Sequence, residues 1–110
     1  MELFILLKDK INYYFNDIDN YITITIKGSL LIGLKYEPLF KVTSLESENS
    51  YKIYPADFVV ANEGTGVVHT AVMYGEDDYK LGKKVGLPQH HTVDKQGRFT
   101  DDVPELAGLK

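Results

Sequence analysis

Four residues with acid–base chemistry lie in one stretch of this chain. His69 stands in the apolar run Val67-Val68-His69-Thr70-Ala71-Val72, and Glu76, Asp77 and Asp78 follow a glycine at 75. An imidazole titrates near neutrality, and a carboxylate can hold a cation or orient a proton donor, so His69 and Asp78 together could position a polar substrate or an attacking water. Each also has a structural explanation. A histidine in an apolar run serves equally as a core residue bonded to backbone, and acids in a first helical turn complement the helix dipole. His90 and His91, with His69 and a carboxylate, could be imagined as a metal site. Their spacing matches no zinc pattern and adjacent strand residues point to opposite faces, so they read as surface histidines. Of the eight tyrosines, Tyr74, beside the Gly75 break, is best placed to line a pocket. The chain has no Gly-x-Ser-x-Gly elbow, no cysteine and no glycine-rich phosphate loop with lysine, which argues against nucleophilic catalysis by a side chain.

The elements that must hold these residues can be read around them. Gly64 and Gly66 bracket a tight turn, the apolar run from Val67 reads as a buried strand, and Gly75 ends it. From Glu76 the pattern predicts a short helix, with three acids in the first turn, Lys83 and Lys84 in the last, Gly86 just beyond and Pro88 preventing continuation. His69 on the strand and Asp78 in the first helical turn could then face one cleft at the junction.

The motif Gly64-Thr65-Gly66-x-Val68-His69-x-Ala71, then Gly75, Asp78, Gly82 and Gly86-Leu87-Pro88, resembles the editing domain inserted into isoleucyl-tRNA synthetase. Valyl- and leucyl-tRNA synthetases are more distant relatives in this resemblance. It extends upstream to Gly28-Ser29-x-Leu31-x-Gly33-Leu34-x-Tyr36-Glu37-Pro38-Leu39-Phe40 and downstream to Val93-Asp94-x-x-Gly97-Arg98-Phe99, roughly three quarters of the chain in three ordered blocks. The resemblance implies hydrolysis of the ester of mischarged valyl-tRNA for isoleucine. Asp78 would grip the α-ammonium, His69 would position the terminal ribose or the water, and backbone near Gly66 and Tyr74 would shape the pocket. It implies no metal and no cofactor for editing, ATP belonging only to the synthetic domain of the parent. The partners it implies are a tRNA 3′ end carrying a misacylated amino acid and the remainder of the parent synthetase, with no membrane, in the cytoplasm. The sequence departs from the family pattern at Val72 and Thr92, where proline is usual, and it begins after the Thr-rich segment that forms one wall of the family's pocket. Residues 1–110 are therefore expected to be a single domain, part of a larger editing domain. The alternative is a non-catalytic binding or structural domain that lacks half of the site.

The 110 residues suit one small domain, too short for a whole synthetase. A net charge of −4 and a single arginine, Arg98, argue against a tight, free-standing nucleic-acid binder. The absence of cysteine excludes a disulfide framework and suits a reducing compartment. The opening apolar run, bracketed by Glu2 and Lys8-Asp9-Lys10, is too short for a signal peptide. Residues 2–7 read as a buried strand, 9–17 as an amphipathic helix carrying Ile11, Tyr14 and Phe15, and 16–20 as a polar turn. Residues 21–26 alternate Ile and Thr as a half-buried strand does. Residues 29–40 read as a compact turn and apolar segment, and in the family this block anchors the barrel wall. Further strands are expected at 40–43, 51–54, 58–60 and 89–93, with a polar loop at 44–50 as a solvated connection and a turn at 94–97. These patterns predict an α+β class, a β-rich, small, partly closed β-barrel with two short helices, and the resemblance implies that it is the class I aminoacyl-tRNA synthetase editing-domain fold.

Overall fold

The structure, a computed structural model, describes residues 3–110. Its contacts divide the chain into two compact units, one of Met1–Ile32 with Pro55–His69 and one of Gly33–Tyr54 with Thr70–Lys110.

In the first unit the expected strand over 2–7 does not form: Glu2 lies outside the described residues, and 3–7 carry no ladder. Instead the Leu7 N–H donates to the Thr65 carbonyl at 2.7 Å, tying this segment to the glycine turn. A 3-10 turn at Lys8–Lys10 leads into α1 (Ile11–Tyr14), shorter than the helix expected over 9–17. Aromatic residues are weak helix formers and no side chain caps α1. Phe15 leaves the helix with extended backbone and packs its ring against Phe4 and Tyr21, with centroids 5.4 and 5.2 Å away. A second 3-10 turn, Ile18–Asn20, fills the predicted polar turn, and a third, Gly28–Leu31, follows residues 21–27.

In the second unit, residues 33–36 and 51–53 run antiparallel. Gly33 N–H bonds to the Ile53 carbonyl at 2.8 Å, Ile53 N–H to Leu34 at 2.9 Å, and Tyr36 N–H to Tyr51 at 2.9 Å, around a single bridge between Lys35 and Lys52. The loop at 44–50 is not merely solvated. A 3-10 turn, Thr43–Leu45, leads into it, and its buried Ser50 donates its hydroxyl to the Leu45 carbonyl at 2.6 Å. The Asn49 amide reaches the Gly86 carbonyl at 3.3 Å.

Helix α2 (Glu76–Val85) stands where the sequence places a helix. Gly86 adopts the left-handed conformation at φ 75°, ψ 37°, its N–H turned back to the Gly82 carbonyl, as a glycine C-terminal cap does. Gly82 is buried in the middle of α2, and a Cβ there would meet the Val72 methyls at 2.7 and 2.8 Å. The chain end is folded by a turn at 94–97, a bridge from Val93 to Phe99, and paired bonds between Phe99 and residues 108–109.

These facts overturn the expected β-barrel. Among the described residues there are no strands, no sheet and no barrel, only two isolated bridges, two α-helices and four short 3-10 turns. The segments expected to be strands do not pair: a strand needs a partner for its backbone groups, and segments such as 21–26 meet none among the described residues. Apolar burial is correspondingly thin: among the described residues only Val42 (5% exposed) and Val103 (4%) are buried apolar side chains. The chain exposes 9046 Å², where a folded monomer of 12.5 kDa is expected to expose about 6,200 Å². Among the described residues no helix is long and apolar enough to cross a membrane.

Gly82→Ala tests the seat of α2. Helix propensity alone would favour alanine by ~1 kcal/mol, but the crowding against Val72 predicts a net loss of about 1–3 kcal/mol. Urea denaturation should show this loss, and Val72→Ala in the same chain should relieve part of it.

Candidate functional site

The candidate residues fall in both units. Gly66 and His69 belong to the first, with His69 its last residue; Tyr74 and Asp78 belong to the second.

In the first unit a cleft of about 360 Å³ opens over the glycine turn, with apolar walls from Phe58, Val60, Val67 and Val68 and polar groups from Glu63 and Thr65. Gly66 lines it, at φ 83°. A side chain at 66 would collide with that of Leu7, so glycine is required by close packing as well as by the backbone angle. His69 lies outside this lining, is exposed, and makes no side-chain hydrogen bond among the described residues. It is therefore not the core histidine that the apolar run allowed.

In the second unit the three acids at the start of α2 separate by geometry. The exposed Glu76 pairs with Lys80 at 3.1 Å, one turn on, a contact worth little in water. Asp77 is exposed. Asp78 is half-buried, and its Oδ2 accepts the Ala71 N–H at 3.2 Å. Gly75 leaves room for this carboxylate, since a Cβ there would come within 3.2 Å of the same oxygen. Asp78 thus folds back over the segment before the helix, with its other oxygen unengaged among the described residues.

Tyr74 does more than line a surface. Its hydroxyl accepts the N–H groups of Thr92 and Val93 at 2.9 and 3.0 Å, and its ring lies edge-on to His91 at 6.0 Å. The hydroxyl is committed to backbone, which leaves the ring as the part that could meet a ligand.

One cluster escaped the sequence. His90 Nε2 lies 3.0 Å from Asp102 Oδ2, and the Thr100 hydroxyl donates to the same oxygen at 2.8 Å. His90 meets Asp102 while the His91 ring lies against Tyr74, and of the two only His91 is exposed. The hydrogen bonds from His90 and then Thr100 hold the Asp102 carboxyl below the ordinary range, against a smaller opposing effect of desolvation. No spacing rule links residues 90 and 102; the fold of the chain end brings them together. Asp94 is also held low, first by the Arg98 N–H, and the Arg98 guanidinium bonds back to it at 3.1 Å. The single arginine is thereby engaged in a turn. Burial, then Glu46 and Tyr36, pushes the Tyr51 phenol up. Among the described residues no group of three or more His, Cys, Asp or Glu could hold a metal ion.

No family model matches the chain. It is similar to amino acid–tRNA ligases, among them isoleucine–tRNA ligases. The chain is 48% identical over 85 residues to the isoleucine–tRNA ligase of Rickettsia canadensis and 47% identical over 85 residues to that of Rickettsia akari. It is 45% identical over 83 residues to that of Clostridium acetobutylicum. The matches cover 76–77% of this chain and 8% of each relative. Most of the chain is thus homologous to a segment of isoleucine–tRNA ligase, and it spans about a twelfth of the length of these curated relatives.

Tyr74→Phe removes the acceptor for two amides. Hydrogen exchange at Thr92 and Val93 should accelerate, with a stability loss of about 1 kcal/mol, small because the site is partly exposed.

The Asp102 carboxyl, titrated by carbon NMR, should have its midpoint below the ordinary aspartate value of about 3.9. A carboxyl more acidic in the folded chain contributes stability above that ordinary value and loses it as pH falls through the folded one. In His90→Ala the midpoint should move up towards the ordinary value; an unmoved midpoint would mean that Thr100 alone is responsible.

Proposed function

We propose that this chain is a piece of the editing domain of an isoleucyl-tRNA synthetase and takes part in hydrolysing the ester of valyl-tRNA for isoleucine. The observation that carries the proposal is its homology to a segment of isoleucine–tRNA ligases, together with His69 and Asp78 at the motif positions of the family. The chemical need is general. One methylene in an apolar pocket distinguishes substrates by only ~1–3 kcal/mol, for which isoleucine against valine is the standard illustration. A second, smaller pocket that accepts valine and hydrolyses its ester supplies the missing discrimination.

The geometry supports distinct roles. Asp78 grips the α-ammonium: one oxygen is braced by the Ala71 N–H and the other can accept from the cation. Glu76 is engaged with Lys80 and Asp77 is exposed, so neither is as well placed. His69, exposed and without a side-chain bond among the described residues, positions the terminal ribose or the attacking water. The backbone at Gly66 and the ring of Tyr74 provide surface for the substrate. Water adds to the ester carbonyl and its proton passes to the departing ribose oxygen, which gives free valine and uncharged tRNA without a covalent enzyme intermediate. The partners are the aminoacylated tRNA end and the rest of the parent synthetase, in the cytoplasm. With its one arginine engaged in a turn and a net charge of −4, the chain relies on the parent for most of its attraction to tRNA.

A second function class is favoured by the thin apolar core and by the assignment of His69 and Asp78 to different compact units. In that case the isolated chain is a binding or structural domain, active only within its parent. Hydrolysis of valyl-tRNA for isoleucine by the wild-type chain and by Asp78→Ala decides between them, with circular dichroism to verify that the variant is folded. A rate above buffer that is lost in the variant is the outcome expected of an editing piece. No rate in either protein would assign the chain to the non-catalytic class.

A further inference from the structure

Gly75 is the N-cap of α2, yet neither the backbone nor the helix calls for glycine there. Its φ of −167° and ψ of 140° are extended values open to any residue, and no side chain caps the helix. A serine, aspartate or asparagine at an N-cap accepts one of the unpaired N–H groups of the first turn and caps better than glycine. The chain forgoes that bond. What a side chain at 75 would meet is the carboxyl group of Asp78: the three atoms nearest to an added Cβ are its Oδ2 at 3.2 Å, its Cγ at 3.4 Å and its Cβ at 3.6 Å. Oδ2 is the oxygen that accepts the Ala71 N–H. An acid at the third helical position commonly turns back to the N–H of the N-cap. Asp78 instead reaches the N–H of Ala71, which precedes the N-cap, and its carboxylate lies beside residue 75 in doing so.

We infer that Gly75 is a positioning residue for Asp78: the missing side chain lets the carboxylate lie against Ala71, with one oxygen braced and the other left for the α-ammonium of the substrate. The role of the second oxygen rests on the editing reading above; the placement of the carboxylate does not. A contact of 3.2 Å is tighter than side-chain carbons ordinarily make, so a side chain at 75 displaces the oxygen by a few tenths of an ångström. Helix α2 has no slack to absorb this, because Gly82 already seats it on the Val72 methyls. The Ala71 bond, at 3.2 Å, stands at the long end of the hydrogen-bond range. A displaced carboxylate therefore loses its brace.

The Ala71 amide reports the carboxylate directly. In the full 110-residue chain its NMR signal should move with pH as Asp78 titrates, and in Asp78→Ala that movement should vanish. Gly75→Ala should flatten it to the same extent and accelerate hydrogen exchange at Ala71, while circular dichroism retains the helix. Gly75→Ser, which supplies a cap and so guards against loss of α2 itself, should behave in the same way. On valyl-tRNA for isoleucine, Gly75→Ala should raise KM about tenfold and leave kcat nearly unchanged, as expected when a charged hydrogen bond to bound substrate is lost. An Ala71 signal that titrates in Gly75→Ala as it does in the unsubstituted chain would overturn the placement. A fall in kcat with KM unchanged would overturn the role of the second oxygen. Absence of hydrolysis by the unsubstituted chain would count against the editing reading instead, and the amide signal would still decide on Gly75.

Discussion

The contact of Val72 with Gly82 is the constraint on which the helical part of the second unit depends. No side chain fits between them, so α2 lies directly on the segment that precedes it. That approach permits the short return from Asp78 to the Ala71 N–H, because the first turn of α2 then lies above the backbone it has just left. Gly86 closes the far end of the helix and offers its carbonyl to Asn49, which connects α2 to the 44–50 loop. The branched methyls of valine fill the space that the missing Cβ of Gly82 leaves.

Small residues are used in the same way in the first unit. Gly66 admits the Leu7 side chain against its Cα while Leu7 bonds the neighbouring Thr65 carbonyl. The Gly-Thr-Gly turn is thereby held from one side and leaves its cleft on another. In both units, glycines of the motif serve close packing first, and the groups that could act on a substrate, Asp78 and the cleft wall, are placed as a consequence. Tyr74 follows the same logic: a residue expected to face a ligand holds the backbone of residues 92 and 93.

Side-chain hydrogen bonds, rather than a large apolar core, hold much of the second unit. Ser50, Asn49, Tyr74, Asp94 and the His90–Asp102–Thr100 cluster each join segments that carry little buried apolar surface. Bonds of this kind contribute modestly each, since water competes for the same groups. The large apolar residues left in water are the complement of that arrangement.

Local chemistry was legible from residue types alone. The acids, lysines, Gly86 and Pro88 around α2 specify a helix, its direction and its end through dipole and backbone angle, and the structure has that helix. The turn at 94–97 was readable for the same reason, from Asp94 and Gly97. Of the three acids at the start of α2, only Asp78 is half-buried and accepts a backbone N–H, that of Ala71, a difference that its residue type does not reveal. Pairing was not legible. Alternating Ile and Thr prescribe an extended shape, but whether an extended segment becomes a strand depends on a neighbour distant in sequence, and there the expected barrel failed. His90 with Asp102, Ser50 with Leu45, and the seating of Gly82 on Val72 were decided by tertiary structure alone, because each depends on where the chain returns in space, which short-range periodicity does not encode.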